Sequence, residues 1–197
     1  MNIRELQAEV NRRLKRPDLV ETANLRLLAV VRDLHISDFY PRDKVEETIK
    51  VSNPTTLTKI TLPPFWRKFI CLAPQTEYQV PIALSRTTNQ DFELVDVQDM
   101  HRDHSSINCY YVSYNAVTIK SEVPFQRLYA CYYKYPDLRD KEVTTWVTEH
   151  YEQLCVDYTL AGLFTAIGNK DLADIHRALA SEALQTFRLN AEAEGIF

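Results

Sequence analysis

Apolar residues recur three and four positions apart at the start of the chain, at Ile3, Leu6, Val10 and Leu14. This spacing is typical of an amphipathic helix with one buried face. Asn2 precedes the pattern and Glu5 follows three residues later, which is the sequence signature of a capping box. Because Pro17 cannot continue a helix, the sequence predicts a first helix that begins after Asn2 and ends before Pro17.

A second helical pattern follows Pro17. Asp18, with Glu21 three residues later, predicts another capped start. The apolar stripe of this helix comprises Leu19, Ala23, Leu27, Val30, Val31 and Leu34. The next stretch, DFYPRDKVEETIKV at residues 38–51, is interpreted as a turn followed by a short third helix. Residues 1–50 are therefore predicted to form a group of N-terminal helices.

Residues 55–135 have a different pattern, in which apolar and polar residues alternate over short runs. The runs TLTKITL, RKFICLAP, YQVPIALS and DFELVDV are bounded by Pro, Thr or Asn and are typical of strands. CYYVSYNAVTIKS (109–121) is typical of a hairpin that turns at Ser113, Tyr114 and Asn115, where Asn115 tolerates a left-handed conformation. The sequence thus predicts a small antiparallel β part in the middle of the chain.

RLYACYYKY (127–135) is a strand candidate with two apolar faces. Alternation puts Leu128, Ala130 and Tyr132 on one face. The opposite face carries Phe125, Arg127, Tyr129, Cys131, Tyr133 and Tyr135. A strand that is apolar on both sides is either covered on both sides or placed at an interface.

Helical spacing returns after this strand. A helix is predicted from Thr144 or Thr145 to about Ile167, followed by a turn at Gly168-Asn169 and a last helix capped by Asp171. The fold class is therefore α+β in a single domain, residues 1–197. Its parts are the N-terminal helices, the β part at 55–135, a helical hairpin at 143–190 that completes a helical bundle, and a tail at 191–197.

Composition narrows the possible functions. The chain is 45% hydrophobic and 25% charged, with a net charge of −4, which is typical of a soluble protein without a general basic footprint for nucleic acid. Its three glycines do not form a phosphate-binding loop. The four cysteines lack CxxC spacing, which predicts free thiols in a reducing compartment. No membrane span or signal peptide is expected.

QDMHRDHSS (98–106) is the cluster with ligand-like residues, namely Asp99, His101, Asp103 and His104. Imidazole and carboxylate groups bind metals, but this spacing matches no standard site, so a solvated polar loop is the competing interpretation. A small metal-dependent hydrolase is the corresponding functional alternative, and stoichiometric zinc or manganese in the purified protein would favour it. No serine lies in a nucleophile motif, so no catalytic residue, metal or cofactor is expected.

Aromatic and basic residues supply two candidate interaction sites. In LPPFWRKF (62–69), Phe65 and Trp66 adjoin basic residues, an arrangement found both in base-stacking sites and in protein interfaces. The acidic balance of the chain favours the protein interface. The first predicted helix carries Arg12, Arg13 and Arg16, whereas the last helix is acidic, so the two ends carry opposite charge.

Three segments follow one another in the order YVSYNAVTIKSEVPFQRLYACYYKYPDL, TTWVTEHYEQLCVDYTLAGLFTAI and DLADIHRALASEALQTFRLNAEAE. With ITLPPFW (60–66) upstream, this order resembles the head-to-tail adaptor proteins of tailed bacteriophages over residues 55–190. The matching positions are Tyr132, Tyr133, Pro136, Leu138, Thr145, Trp146, Tyr158 and Ala161. The chain departs from that pattern in lacking a glycine at the hairpin turn and in its cysteine-rich strands.

The resemblance implies a non-enzymatic structural protein at the virion neck, made in the host cytoplasm. Such adaptors form a dodecameric ring that joins the portal protein to tail or nozzle proteins, and double-stranded DNA passes through the ring without sequence-specific binding. A head-completion or tail-terminator ring protein is a near alternative. The residues expected at subunit or partner interfaces are Arg12, Arg13, Arg16, Phe65, Trp66, Tyr129, Tyr132 and Tyr133.

Overall fold

A computed structural model describes residues 1–76, 78, 91–100 and 107–193, with side chains up to Asn190. The fold is α+β, with helices at both ends of the chain and mainly antiparallel sheets in the middle, which confirms the predicted class. The chain divides into two compact units. The helical unit contains residues 1–43 and 135–197, and the β unit contains residues 44–134.

The secondary structure follows this division. The helices are α1 (Ile3–Leu14), α2 (Val20–Ile36), α3 (Val97–Met100), α4 (Trp146–His150), α5 (Glu152–Ala166) and α6 (Lys170–Ala193). The strands are β1 (Lys44–Lys50), β2 (Leu57–Thr61), β3 (Trp66–Gln75), β4 (Glu93–Leu94), β5 (Cys109–Ser113), β6 (Ala116–Lys120) and β7 (Arg127–Lys134).

The start of α1 is as predicted. The Glu5 amide donates to Asn2 Oδ1 at 2.8 Å, and the Asn2 amide donates to Glu5 Oε2 at 3.0 Å, which completes a capping box. The predicted apolar stripe is buried in the core of the helical unit, at Ile3, Leu6, Val10 and Leu14. Local sequence signals therefore suffice for this helix.

The prediction that Asp18 caps the second helix is wrong. Pro17 begins a short 3-10 turn, Pro17–Leu19, and α2 starts only at Val20. Asp18 lies inside that turn, where its carboxylate pairs with Arg16 at 2.7 Å. Most of the predicted stripe is nevertheless buried, at Ala23, Leu27, Val30, Val31 and Leu34.

The long helix predicted up to Ile167 is interrupted. Tyr151, with φ −131° and ψ 36°, separates α4 from α5, and its ring packs edge-on against Phe187 with 4.8 Å between ring centroids. The predicted turn at Gly168 is confirmed. Gly168 has φ 77°, its amide donates to Thr165 O, and the Asn169 amide donates to Phe164 O, which together form a Schellman motif.

The last helix starts two residues earlier than predicted. It begins at Lys170, and Asn169 rather than Asp171 supplies the cap, because Asn169 Oδ1 accepts from the Leu172 amide at 3.3 Å. The helix continues to Ala193, so the start of the tail predicted at 191–197 is helical.

A buried carboxylate joins the two stretches of the helical unit. Asp43 accepts hydrogen bonds from Trp146 Nε1 at 2.8 Å and from His35 Nδ1 at 2.9 Å. The Trp146 ring stacks on Phe187 at 5.7 Å, and Tyr40 packs edge-on against both rings. Asp43 therefore fixes the position of an aromatic cluster at the centre of this unit.

The prediction of a third helix in residues 38–51 is wrong, because residues 44–50 form strand β1. All seven residues of β1 pair antiparallel with β7, from Lys44↔Tyr133 to Lys50↔Arg127. The β-branched residues Val45, Thr48 and Ile49 suit a pleated, half-buried strand. The distant pairing with β7, which local periodicity does not reveal, decides the structure here.

Two sheets form the β unit. One has the order β1-β7-β3 and the other β2-β6-β5-β4, and all pairs are antiparallel except the short β4–β5 pair. Residues of both sheets share one core, including Phe69, Leu72, Tyr110, Ile119, Leu128 and Tyr132. The core therefore lies between the facing sides of the two sheets.

The hairpin predicted within 109–121 is confirmed, since β5 and β6 pair from Cys109↔Lys120 to Ser113↔Ala116. Asn115, however, is not left-handed, because Lys15, Phe65 and Asn108 are the non-glycine residues with positive φ in the described ranges. DFELVDV contributes only the two residues of β4, and Val97 begins α3. YQVPIALS lies, apart from Tyr78, outside the described residues.

Replacing Asp43 tests the contribution of its two buried hydrogen bonds, with His35 and Trp146, to the stability of the helical unit. Asp43→Ala should lower the free energy of unfolding by about 3 kcal/mol, because two buried donors lose their acceptor. Asp43→Asn should lower the free energy of unfolding by a smaller amount, since the amide oxygen of the asparagine can still accept the hydrogen bond from Trp146. Urea unfolding followed by far-UV circular dichroism measures both, and exposed Asp33→Ala on α2 is the control, with an expected change within about 0.5 kcal/mol. Equal losses for Asp43→Ala and Asp33→Ala would contradict the assignment.

Candidate interaction surface

A strained aromatic turn precedes β3. The Trp66 amide donates to Pro63 O at 3.2 Å, which closes a turn over Pro63, Pro64, Phe65 and Trp66. Phe65 has φ 59°, in the left-handed region that a bulky side chain rarely adopts. Such strain persists when the surrounding structure imposes it, and it concentrates at functional sites. The turn is therefore the first candidate for a functional surface.

Aromatic rings lead from this turn into the core of the β unit. Trp66 lies 5.2 Å from Phe69 between ring centroids, and Phe69 lies 6.0 Å from both Tyr110 and Tyr132. Trp66 itself is only partly buried, and its indole Nε1 is shielded from solvent without a hydrogen-bond partner among the described residues. The ring thus has one side fixed by the core and one side near the surface.

A groove of about 550 Å³ opens beside Trp66. Leu94 and Val97 on its wall are 61% and 44% exposed. The remaining lining is supplied by Lys68, Phe69, Val95, Asp96, Tyr110, Tyr111 and Val112. Grooves that combine aromatic walls with a few polar groups are typical of binding sites for apolar side chains.

Tyr129 and Tyr133 lie together on the outer face of the β1-β7-β3 sheet, and both are half-buried. Glu46 on β1 accepts from the Tyr129 hydroxyl, and this hydrogen bond raises the pKa of Tyr129 to about 12. Lys44 in turn pairs with Glu46 at 2.6 Å. These tyrosines therefore form a partly polar surface that suits contact with a protein.

Tyr132 occupies a different environment from its neighbours. It is 3% exposed, belongs to the core of the β unit, and donates from its hydroxyl to Glu47 at 3.1 Å. Burial, together with this hydrogen bond, raises the pKa of Tyr132 to about 12. The expectation that Tyr132 faces a partner does not fit this position, because alternation along β7 turns it toward the facing sheet.

The predicted basic residues lie in the helical unit and are already paired. Glu9 accepts from both Arg12 and Arg13, at 2.7 and 2.6 Å, and these hydrogen bonds lower the pKa of Glu9 to about 2. Arg16 pairs with Asp18. Arg12 and Arg16 are exposed, whereas Arg13 is half-buried. The three arginines are therefore each paired with a carboxylate of the helical unit.

Arg13 also belongs to a buried network that the sequence does not reveal. Asp157, which is 1% exposed on α5, accepts from Gln153 and from His176 Nδ1 at 2.8 Å, and Arg13 Nη1 lies 3.7 Å away. The carboxylate thus holds α1, α5 and α6 together. Residues from three separate helices form this network, so spacing within one segment gives no signal for it.

The metal-binding alternative gains no support from the described part of the chain. Asp99 lies in α3, but His101, Asp103 and His104 fall outside the described residues. Elsewhere in the described ranges, no three His, Cys, Asp or Glu residues are grouped to hold a metal ion.

The four cysteines are free, as predicted. Burial raises the pKa of Cys155 to about 12, and burial with a hydrogen bond to Asp91 does the same for Cys71. Thiols with such pKa values are poor nucleophiles near neutral pH.

Substitution of Phe65 tests the strain in the turn. Because glycine adopts positive φ without steric cost, Phe65→Gly should be about 1 kcal/mol more stable than Phe65→Ala, in which the side-chain contacts are equally lost. Thermal unfolding of the two variants gives this difference. At an ordinary helix position such as Ala178 on α6, glycine should instead destabilise by a similar amount. If alanine proved the more stable residue at position 65, the backbone there would not be strained.

Glu9→Gln tests the arginine pairs. Because the pKa of Glu9 is lowered, its contribution to the free energy of unfolding is present above about pH 4.5. That contribution is lost as the pH falls toward 2. The variant should therefore be less stable by at most about 1 kcal/mol at pH 7, with the difference vanishing near pH 2. Unfolding in urea across this pH range measures the effect, and Glu182→Gln on α6, which breaks no ion pair, serves as the control. A constant difference at every pH would exclude the ion pairs as its cause.

No protein-family model matches the sequence, and no curated protein is significantly similar to it. Within the described residues, no helix combines the length and apolar character needed to cross a membrane.

Proposed function

We propose that the protein is a structural, non-enzymatic component of the neck of a tailed-phage virion, where it forms an adaptor ring between the portal and the tail. The sequence pattern of residues 55–190 suggests this role. An α+β chain with helices at both ends and mainly antiparallel sheets in the middle is compatible with it. In this proposal the helices act as a bundle with a C-terminal helical hairpin, and the β unit presents the binding surface.

The observation that carries the proposal is the strained turn at Phe65 beside the groove at Trp66. Interface anchors are typically aromatic side chains that sit in or beside pockets, surrounded by contacts that exclude water. Here the turn holds Phe65 in an unfavourable conformation next to a groove with exposed apolar walls. A surface of this kind favours protein binding over catalysis, since it presents apolar area rather than a set of reactive groups.

A ring subunit needs interfaces with two neighbours and with the proteins above and below it. The outer-face residues Tyr129 and Tyr133 and the groove at Trp66 are proposed as two of these surfaces. Arg12 and Arg16 are proposed as charges that adjust association rates rather than affinity, because exposed ion pairs contribute little free energy. The net charge of −4 suits a channel through which DNA moves, since a strongly basic lumen would retain the phosphates.

Assembly on the portal tests the proposal. Purified protein mixed with the portal should form a ring-sized complex that native mass spectrometry detects. Trp66→Ala and Leu94→Ser should each weaken this assembly by about 2 kcal/mol, or roughly 30-fold, if the groove receives an anchor from the portal or a neighbour. Leu94→Ser should not affect folding, because Leu94 is 61% exposed.

Tyr114→Ala provides the matched control, because this fully exposed aromatic residue lies at the hairpin turn of the same unit and outside the groove. It should assemble like the unmodified protein. Absence of a complex with the portal would contradict the adaptor role, whereas equal assembly of Leu94→Ser and Tyr114→Ala would exclude the groove as an interface.

A further inference from the structure

A second pocket, of about 440 Å³, lies wholly within the helical unit between α2, α5 and α6. Small residues make up much of its lining, and two arginines, one from α2 and one from α6, reach it. Its lining residues are Arg26, Tyr158, Ala161, Gly162, Thr165, Arg177, Ala180, Ser181 and Leu184. None of these residues belongs to the surface described in the β unit.

Gly162 makes room for the guanidinium of Arg26. A Cβ at position 162 would lie 2.9 Å from Arg26 Nη2 and 3.0 Å from Nε, so a side chain there would require the guanidinium to move. Glycine in the interior of a helix lowers stability relative to alanine, so its presence in α5 needs a reason of this kind. The guanidinium of the exposed residue Arg26 therefore lies close to the backbone of α5 at the pocket.

The donors of Arg26 are not used by the protein. In the described ranges, the guanidinium of Arg26 meets neither a carboxylate nor any other hydrogen-bond acceptor, although five N–H donors are available to it. Arg177 brings a second guanidinium to the same pocket. Its Nη2 donates to Thr165 Oγ1 at 3.2 Å, and its Nη1 pairs with Asp174. The pocket therefore retains about one uncompensated positive charge.

We propose that this pocket binds a carboxylate side chain, glutamate or aspartate, presented by a protein partner. The planar fork of arginine matches a carboxylate through two parallel hydrogen bonds, and the absence of a side chain at Gly162 leaves room for that fork. Tyr158 and Leu184 add apolar contacts for the chain that carries the carboxylate. The site lies outside the surface proposed for portal binding and does not depend on a virion role.

The excess of acidic residues in the helical unit argues against a nucleic acid as the ligand of this pocket. Acidic residues outnumber basic residues in the helical unit, so a polyanion would be repelled by the surrounding surface. A single carboxylate on a partner brings one negative charge to one local positive site and avoids most of this repulsion. The concave shape also suits one inserted side chain better than an extended phosphate backbone.

The test uses the full-length protein and N-acetyl-glutamate N-methylamide as the probe. NMR of the arginine side-chain Nε–H groups, at constant ionic strength, should show saturable shifts of Arg26 and Arg177 with a midpoint in the millimolar range. The corresponding glutamine derivative, which is uncharged, should cause no saturable shift. Inorganic phosphate, titrated separately, distinguishes a carboxylate site from a general anion site.

Three variants make the assignment specific. Arg26→Gln should weaken probe binding by about tenfold or more, since the charged fork is lost. Arg32→Gln, which removes an exposed arginine of the same helix that does not line the pocket, should bind like the unmodified protein. Gly162→Ala should also weaken binding, because its methyl group displaces the Arg26 guanidinium, while its melting temperature should not fall.

Several results would overturn the proposal. One is the absence of a saturable shift with the glutamate probe, and another is equal weakening by Arg26→Gln and Arg32→Gln. Tighter binding of phosphate than of the glutamate probe would replace the carboxylate side chain by a phosphate group as the ligand. Unchanged binding in Gly162→Ala would remove the role assigned to the glycine.

Discussion

The β unit depends on strand β7, which is paired along both of its edges. On one edge, β1 pairs with every residue of β7 except Lys134. On the other edge, β7 pairs with β3. Backbone donors and acceptors inside a core need partners, and pairing along both edges supplies them for β7. β1 opens the unit and β7 closes it. Their pairing therefore completes residues 44–134 as one closed unit and brings its two chain ends together.

The helical unit is consequently built from two separate stretches of chain. Residues 1–43 and 135–197 pack together although the whole β unit lies between them in sequence. Asp43, the last residue of the first stretch, accepts from Trp146 in the second, across a separation of 103 residues. A contact of such long range carries a loop-closure cost that local helix contacts do not. Closure of the β unit by the β1–β7 pairing shortens the effective loop, so folding of the inserted unit favours assembly of the helical one.

Local chemistry was predictable from the sequence, and long-range pairing was not. The capping box at Asn2 and the turn at Gly168 depend on residues a few positions apart, and both were predicted. β1 was mistaken for a helix because its pairing with β7 decides its conformation. Trp66 was selected from its type and neighbours, yet the groove beside it requires residues of β4, α3 and β5 that no motif connects. The position of Tyr132 was ambiguous for a physical reason, since both faces of β7 are apolar and alternation alone does not say which face is covered.

The proposed adaptor ring would require more of the molecule than one binding groove. Each subunit in a cyclic ring meets its two neighbours through different surfaces, so two distinct apolar areas are needed. The β unit supplies one at Trp66. The helical unit has an exposed apolar stripe on α6 at Leu172, Ile175 and Leu179, which are 38%, 56% and 45% exposed. Their three- and four-residue spacing puts them on one side of the helix, as in helices that pack against another helix. Each unit therefore carries its own exposed apolar side chains, at Leu94 and Val97 in the β unit and at Leu172, Ile175 and Leu179 in the helical unit.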